Sequence, residues 1–140
     1  MIFSPDSIRL ELPATPKYLN VLTACIGEML QRVEGLAEPE QTIYNIQLAV
    51  HEGCTNIIDH AYNGAPGRMI VELNLEFSPN RLIVNLHDNG QQFDPMRVPE
   101  PELGIGQERG YGLFLMRQIM DEVYYEPNDG HNHWRLVKHL

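Results

Sequence analysis

The chain has 140 residues, of which 43% are hydrophobic and 21% are charged, and its net charge is −9. This length and composition are typical of a globular protein with its own core, and we expect a single domain over residues 1–140. The acidic balance argues against nucleic acid or an anionic membrane as a direct partner. No apolar run is long enough to span a bilayer and no signal-peptide pattern opens the chain, so we expect a cytoplasmic protein.

The spacing of apolar residues predicts an alternation of strands and helices. In chain order, the predicted elements are a strand at 7–12, helices at about 16–33 and 39–62, strands at 69–77 and 82–87, a helix at 111–122, and strands at 123–126 and 134–139. Turns join the strands at 69–77 and 82–87 into one hairpin, and the strands at 123–126 and 134–139 into another. This order predicts an α+β two-layer sandwich, in which the helices cover one face of a mostly antiparallel sheet.

The stretch from Asn89 to Gly110 has no usable periodicity and is rich in proline and glycine. A loop of this length inside a compact domain is uncommon and usually serves as a lid or a binding loop. We therefore expect a ligand site beside it.

Glu52 and Asn56 lie one turn apart on the second predicted helix and share one of its faces. A glutamate can accept a proton, and the amide oxygen of an asparagine suits Mg²⁺. Asp59 extends this polar edge by a further turn. A solvated helix surface would carry the same residues, so both interpretations stay open at this point.

Asp88 ends a strongly apolar strand, and Asn89-Gly90 turns the chain at once. An ordinary strand-terminating turn would explain this segment. The functional alternative is a carboxylate that accepts a hydrogen bond from the exocyclic amine of adenine, with Gly90 allowing the backbone to approach the base.

Gly110-Tyr111-Gly112 lies where the long loop ends and a helix begins. Free N–H groups at a helix N-terminus favour phosphate oxygens, and Arg109 is the nearest cation. A flexible loop capped by glycine, with a surface arginine, is the alternative. Gly104-x-Gly106 resembles a second phosphate loop but is too generic to decide between them.

The cysteines and histidines do not predict a metal site. Cys25 and Cys54 lie among apolar residues of predicted helices, as small buried hydrophobes do. A second group, His51, Asp59 and His60, is spread over different faces of its helix. For His131, His133 and His139, around the last hairpin, we expect a solvated surface rather than zinc.

Three segments carry a family resemblance: Glu52 to Asn56, Asp88-Asn89-Gly90 and Gly110-Tyr111-Gly112. In this order they resemble the N, G1 and G2 boxes of the Bergerat-fold ATPases, the superfamily of gyrase B, histidine kinases and related heat-shock chaperones. Residues 51–62, 88–94 and 109–116 resemble, more closely, the bacterial anti-sigma factor serine kinases. The resemblance covers nearly the whole chain and implies the histidine-kinase-like ATPase fold. Two positions depart from the family pattern: Gln92 replaces a second G1 glycine, and Gly130-His131-Asn132 replaces a Gly-Thr pair.

The resemblance implies a role for each matching position. Glu52 would be the general base that takes the proton from a substrate serine, and Asn56 would coordinate Mg²⁺. Asp88 would bind adenine, and residues 95–109 would form the lid over ATP. The other nucleotide-binding positions that it implies are Asp59, Gly90, Phe93, Gly104, Gly106, Arg109, Gly110, Tyr111, Gly112 and Leu113.

The implied function is that of a serine/threonine protein kinase that uses Mg-ATP to phosphorylate a STAS-type anti-anti-sigma partner. A sigma factor would be a second partner, and a homodimer with strand 7–12 at its contact is expected. The alternative is a non-catalytic regulator whose nucleotide state decides which partner it holds. The catalytic domain of a sensor histidine kinase fits less well, because Glu52 stands where those enzymes carry an asparagine.

Overall fold

The computed structural model describes residues 5–92, 111–128 and 130–140, apart from the side chain of Tyr111. Within these ranges the strands are β1 (Ser7–Pro13), β2 (Arg68–Glu76), β3 (Arg81–Asp88), β4 (Glu122–Asn128) and β5 (His131–His139). The α-helices are α1 (Leu19–Leu30), α2 (Pro39–Asn56) and α3 (Tyr111–Ile119). The predicted lid at 95–109 lies outside the described residues.

The strands form one sheet in the order β1-β2-β3-β5-β4, and every neighbouring pair is antiparallel. Side chains alternate between its two faces, so that Met69, Val71 and Leu73 of β2 are buried whereas Ile70 and Glu72 are not. The helices cover the buried face. The predicted α+β two-layer sandwich is confirmed.

The core lies between this face and the three helices. Its fully buried members include Leu22 and Ile26 of α1, Ile46 and Val50 of α2, and Trp134 of β5. Cys54 is buried among them, and burial raises the pKa of its thiol to about 12. It therefore packs as a small hydrophobe, as predicted. None of the described helices is long and apolar enough to cross a membrane.

Several boundaries differ from the predicted ones. Helix α1 ends at Leu30 rather than 33, α3 ends at Ile119 rather than 122, and β4 spans Glu122–Asn128 rather than 123–126. A 3-10 turn at Pro16–Tyr18 precedes α1, and α2 passes at its end into a π-helical turn, Ile57–Ala61. The last strand begins at His131 rather than 134, because His131, Asn132 and His133 continue the pairing with their neighbours although they are polar. The wider π turn and the longer strand both contribute to the site described next.

Candidate active site

Glu52 lies against the first turn of α3. A Cβ atom added at Gly112 would be 2.6 Å from Glu52 Oε2, so the carboxylate touches the backbone at this glycine. The two helices also approach closely at Gly53 of α2, where an added Cβ would be 3.3 Å from Met116 Cε of α3. The N-terminus of a helix favours a nearby negative charge, so the contact between Glu52 and α3 is electrostatically favourable.

Asn56 lies one turn beyond Glu52 and is half-buried. Its Nδ2 is 3.7 Å from the sulfur of Met116 on α3, which turns Oδ1 away from that side chain. An amide oxygen presented in this way suits a hard cation such as Mg²⁺. Asp59 lies on the π turn with its side chain exposed.

Asp88 is a buried carboxylate at the end of β3, with only 2% of its surface exposed. Its Oδ1 accepts hydrogen bonds from Gly90 N and from Asn132 Nδ2, both at 2.9 Å. Its Oδ2 is buried and has no hydrogen-bond partner in the part of the chain that the structure describes. Burial raises the pKa of this carboxyl, and the two hydrogen bonds act in the opposite direction. Oδ2 is thus an acceptor without a donor.

The turn after Asp88 is held by the π turn that follows α2. Gln91 N donates to Ala61 O at 2.7 Å, and the Gln91 side chain donates to His60 O at 2.9 Å. A Cβ at Gly90 would be 2.5 Å from Ala61 O, so a larger residue does not fit there. The π turn therefore fixes the position of the segment that carries Asp88.

The structure thus brings predicted positions together in two contacts, Glu52 with Gly112 and the turn after Asp88 with the π turn that carries Asp59. Leu113 is buried in the core, which leaves its backbone as the part available to a ligand. Tyr111, Gly112 and Leu113 form the first turn of α3, where backbone N–H groups have no partner within the helix. Five predicted positions lie outside the described residues: Phe93, Gly104, Gly106, Arg109 and Gly110.

Asn132 is the site residue that the sequence analysis did not identify. It is 1% exposed and lies directly opposite Asp88 in the β3–β5 pairing. Extending the last predicted strand by three residues would have placed it there, because cross-strand partners share a face. The polar run at 131–133 concealed that extension.

His131 and His133 belong to a cluster on the outer face of the sheet that also contains His87. The His87 and His133 rings stack at 4.6 Å, and His87 Nδ1 is 2.8 Å from His131 Nε2. His87 Nε2 is 2.6 Å from Glu72 Oε1. Desolvation and the neighbouring His87 lower the pKa of His133. No group of His, Cys, Asp or Glu among the described residues is arranged to hold a metal ion.

Comparison with known proteins places this geometry in a family. Residues 12–138 match the family model described as the histidine kinase-like ATPase domain. The serine-protein kinase RsbW of Bacillus pumilus is 31% identical over 135 residues, which cover 89% of this chain and 81% of the relative. The chain belongs to the anti-sigma factor serine-protein kinase family of histidine kinase-like ATPases. It is accordingly an ATP-dependent serine kinase.

Further relatives of the kinase agree in sequence and in fold. RsbW of Halalkalibacterium halodurans is 29% identical over 140 residues, which cover 92% of this chain and 81% of the relative. A Mycobacterium tuberculosis structure with RsbU and RsbW domains superposes with a TM-score of 0.68 at 18% identity, covering 96% of the kinase and 32% of that chain. The histidine kinase domain of a blue-light activated protein from Erythrobacter litoralis gives 0.54 at 21% identity, with coverages of 92% and 62%. The two structures support the fold.

Proposed function

We propose that this cytoplasmic kinase transfers the γ-phosphoryl group of Mg-ATP to a serine of a STAS-type anti-anti-sigma protein, with a sigma factor as a second partner. The observation that carries the proposal is the contact between Glu52 and the first turn of α3, which places a proton acceptor beside N–H donors of the kind that favour phosphate. The RsbW relatives, named as serine-protein kinases, support the same reaction.

The described residues fit a bound Mg-ATP. Asp88 Oδ2 is a buried acceptor without a partner among them, which suits the exocyclic amine of adenine. The first turn of α3 offers N–H groups to phosphate oxygens, and Asn56 offers an amide oxygen to Mg²⁺. When bound, Mg-ATP supplies the phosphoryl group and the charge that neutralises it. Asp59, Phe93, Gly104, Gly106, Arg109 and Gly110 complete the proposed nucleotide site.

In this proposal, Glu52 accepts the proton of the substrate hydroxyl. The carboxylate has only to receive the proton as the hydroxyl oxygen forms its new bond. Gly112 leaves room for this carboxylate at the helix end. Asp88 and the turn that follows it orient the donor from the other end of the pocket.

The experiment is a phosphorylation assay with Mg-ATP and a candidate STAS-type partner. We expect acid-stable phosphoserine with the native kinase, and a loss of about 10²-fold or more with Glu52→Gln. Glu40→Gln is the matched control, since Glu40 is an exposed glutamate on the same helix and should not alter the rate. An acid-labile product would indicate a histidine kinase instead. A stable complex with intact ATP would favour the non-catalytic regulator.

We further propose a homodimer that forms through β1. This strand lies at the end of the sheet order, and its outer edge has no strand partner among the described residues. Unpaired edges are templates for association with a second chain. Ile8 of β1 is 39% exposed.

Light scattering tests the homodimer. The native protein should have twice the monomer mass, and Ile8→Lys should shift the measured mass toward that of the monomer. A native protein that stays monomeric at high concentration would contradict the proposal.

A further inference from the structure

The histidine cluster on the outer face of the sheet consists of His87 of β3 with His131 and His133 of β5. His87 Nε2 lies 2.6 Å from Glu72 Oε1, and His87 Nδ1 lies 2.8 Å from His131 Nε2. Only 20% of the His87 side chain is exposed, so solvent screens these contacts only in part. The contact between His87 and His131 is a clamp that joins the ends of β3 and β5 through side chains.

This clamp needs a single hydrogen between its two nitrogens. In its ionised form Glu72 only accepts, so His87 Nε2 carries a hydrogen. When both rings are neutral, His87 Nδ1 accepts from His131 Nε2. One further proton, on either ring, keeps the contact, because the charged ring donates to the neutral one. When both rings are charged, two N–H groups face each other and the contact cannot form.

The surroundings favour the first proton of the cluster and oppose the next. The ring of His133 stacks on that of His87 at 4.6 Å, so charges on both rings repel. Desolvation and the neighbouring His87 lower the pKa of His133, whereas Glu126 and Glu72 act in the opposite direction. Ionisable groups from all five strands surround the cluster: Arg9 and Glu11 of β1, Arg68 and Glu72 of β2, Asp88 of β3, Glu126 of β4 and Arg135 of β5.

The clamp lies on the same two strand ends as the pair Asp88 and Asn132. His87 precedes Asp88 on β3, and His131 and His133 flank Asn132 on β5, so the two contacts hold these ends from opposite faces of the sheet. Strand β5 begins at His131, and the ends of elements open at little cost in free energy. Loss of the outer contact therefore loosens the 2.9 Å bond from Asn132 to Asp88.

We propose that the histidine cluster is an acid-sensitive clamp on the nucleotide site, an inference that rests on the site proposed above. One proton leaves the clamp closed, and a second one, on the facing ring, opens it. Opening frees the start of β5 and weakens nucleotide binding. Because histidine changes its charge between about pH 5 and 8, the clamp responds to modest acidification. The kinase thus holds nucleotide less tightly in acid for a reason that lies outside the nucleotide pocket.

The test measures Mg-ADP affinity by titration calorimetry in the native kinase and in two variants. His131→Gln keeps an oxygen that accepts from a charged His87 and an amide that donates to a neutral one, so its contact does not depend on pH. His139→Gln is the matched control, since His139 is an exposed histidine on the same face of β5, outside the cluster. The titration of ADP itself is common to all three proteins.

The expected result is a difference in acid sensitivity. Between about pH 7.5 and about pH 5.5, the native kinase and His139→Gln should lose about fivefold more affinity than His131→Gln, the factor that one hydrogen bond is worth. Melting curves establish that each variant is folded. His87→Gln, which removes the other ring of the contact, carries the test if His131→Gln is not folded.

Amide hydrogen exchange at residues 131–133 reports the clamp without nucleotide. The protection of these amides, corrected for the intrinsic pH dependence of exchange, should fall in acid in the native kinase and much less in His131→Gln. Unchanged protection in the native kinase would overturn the clamp.

Two results of the calorimetry bear on different parts of the account. Equal acid losses of ADP affinity in all three proteins would overturn the inference, even if exchange showed that the clamp opens, because opening would then have no effect on the site. A native kinase that binds no ADP at either pH would instead overturn the proposed nucleotide site, and the exchange data would still decide whether acid opens the clamp.

Discussion

Replacing Gly90 by alanine should damage both the fold and the base pocket. The added Cβ would lie 2.5 Å from Ala61 O, about 0.9 Å closer than the 3.4 Å at which ordinary contact begins. The obstacle is backbone and cannot move aside as a flexible side chain would. Relief requires the turn to leave the end of α2, which also breaks the 2.7 Å bond from Gln91 N to the same oxygen.

The two effects give the expected magnitude. Overpacking of this kind costs about 1–3 kcal/mol, and the lost hydrogen bond adds about 1 kcal/mol. At about 4 °C per kcal/mol for a chain of this size, the melting temperature should fall by about 8–16 °C. The affinity for ADP should fall as well, because Asp88 moves with the turn.

Differential scanning calorimetry and ADP titration measure the two consequences. The matched control is Asn89→Ala in the same turn, where the side chain is exposed and the backbone bond from Asn89 N to Tyr62 Oη at 3.0 Å is kept. It should leave both quantities nearly unchanged. A Gly90→Ala protein with native melting temperature and native ADP affinity would show that Ala61 does not position this turn.

Three further predictions concern other contacts of the site and the sheet. Asp88→Asn replaces the acceptor Oδ2 by the donor Nδ2, so ADP affinity should fall at least about tenfold in a calorimetric titration. Urea unfolding should show no loss of stability, because a buried charge is removed. An equal loss of ADP affinity and of stability would contradict this prediction. Gly112→Ala adds a Cβ that displaces the flexible Glu52 side chain, so phosphoserine formation should slow about tenfold or more. The free energy of unfolding should stay within about 1 kcal/mol of the native value. An unchanged rate would refute the contact between Glu52 and Gly112. Since the pKa of His133 is lowered on folding, the unfolded chain binds its proton more readily, and the free energy of unfolding should fall as the pH drops below about 6.5. In urea titrations at several pH values below about 6.5, His133→Gln should make the free energy of unfolding less dependent on pH. The same pH dependence in both proteins would show that His133 does not have a lowered pKa in the folded state.

The sequence predicts the layers of this fold well, because the apolar alternation of β2 and β3 and the helical spacing of α1 and α2 are strong signals. The strand end at Asp88 and the start of α3 at Tyr111 also follow from local residues. Asn132 did not, since a polar strand residue is indistinguishable from a turn until its cross-strand partner is known.

The π turn at Ile57–Ala61 was equally invisible in the sequence. The apolar spacing predicts a helix through 62, whereas the structure has a π turn whose last residue, Ala61, lies against Gly90. The histidine cluster also could not be predicted from the sequence, because His87 is distant along the chain from His131 and His133. Each of these features depends on contacts between elements, which local patterns do not encode.

The most direct test of the central claim separates nucleotide binding from phosphoryl transfer in Glu52→Gln. The rate of phosphoserine formation is measured at saturating Mg-ATP, and the dissociation constant for ADP is measured on the same preparation. We expect a rate lower by about 10²–10⁴-fold with an ADP affinity close to native, because in the proposed mechanism Glu52 accepts the substrate proton whereas Asp88 binds the adenine. A Glu52→Gln protein that phosphorylates its partner at the native rate would contradict it.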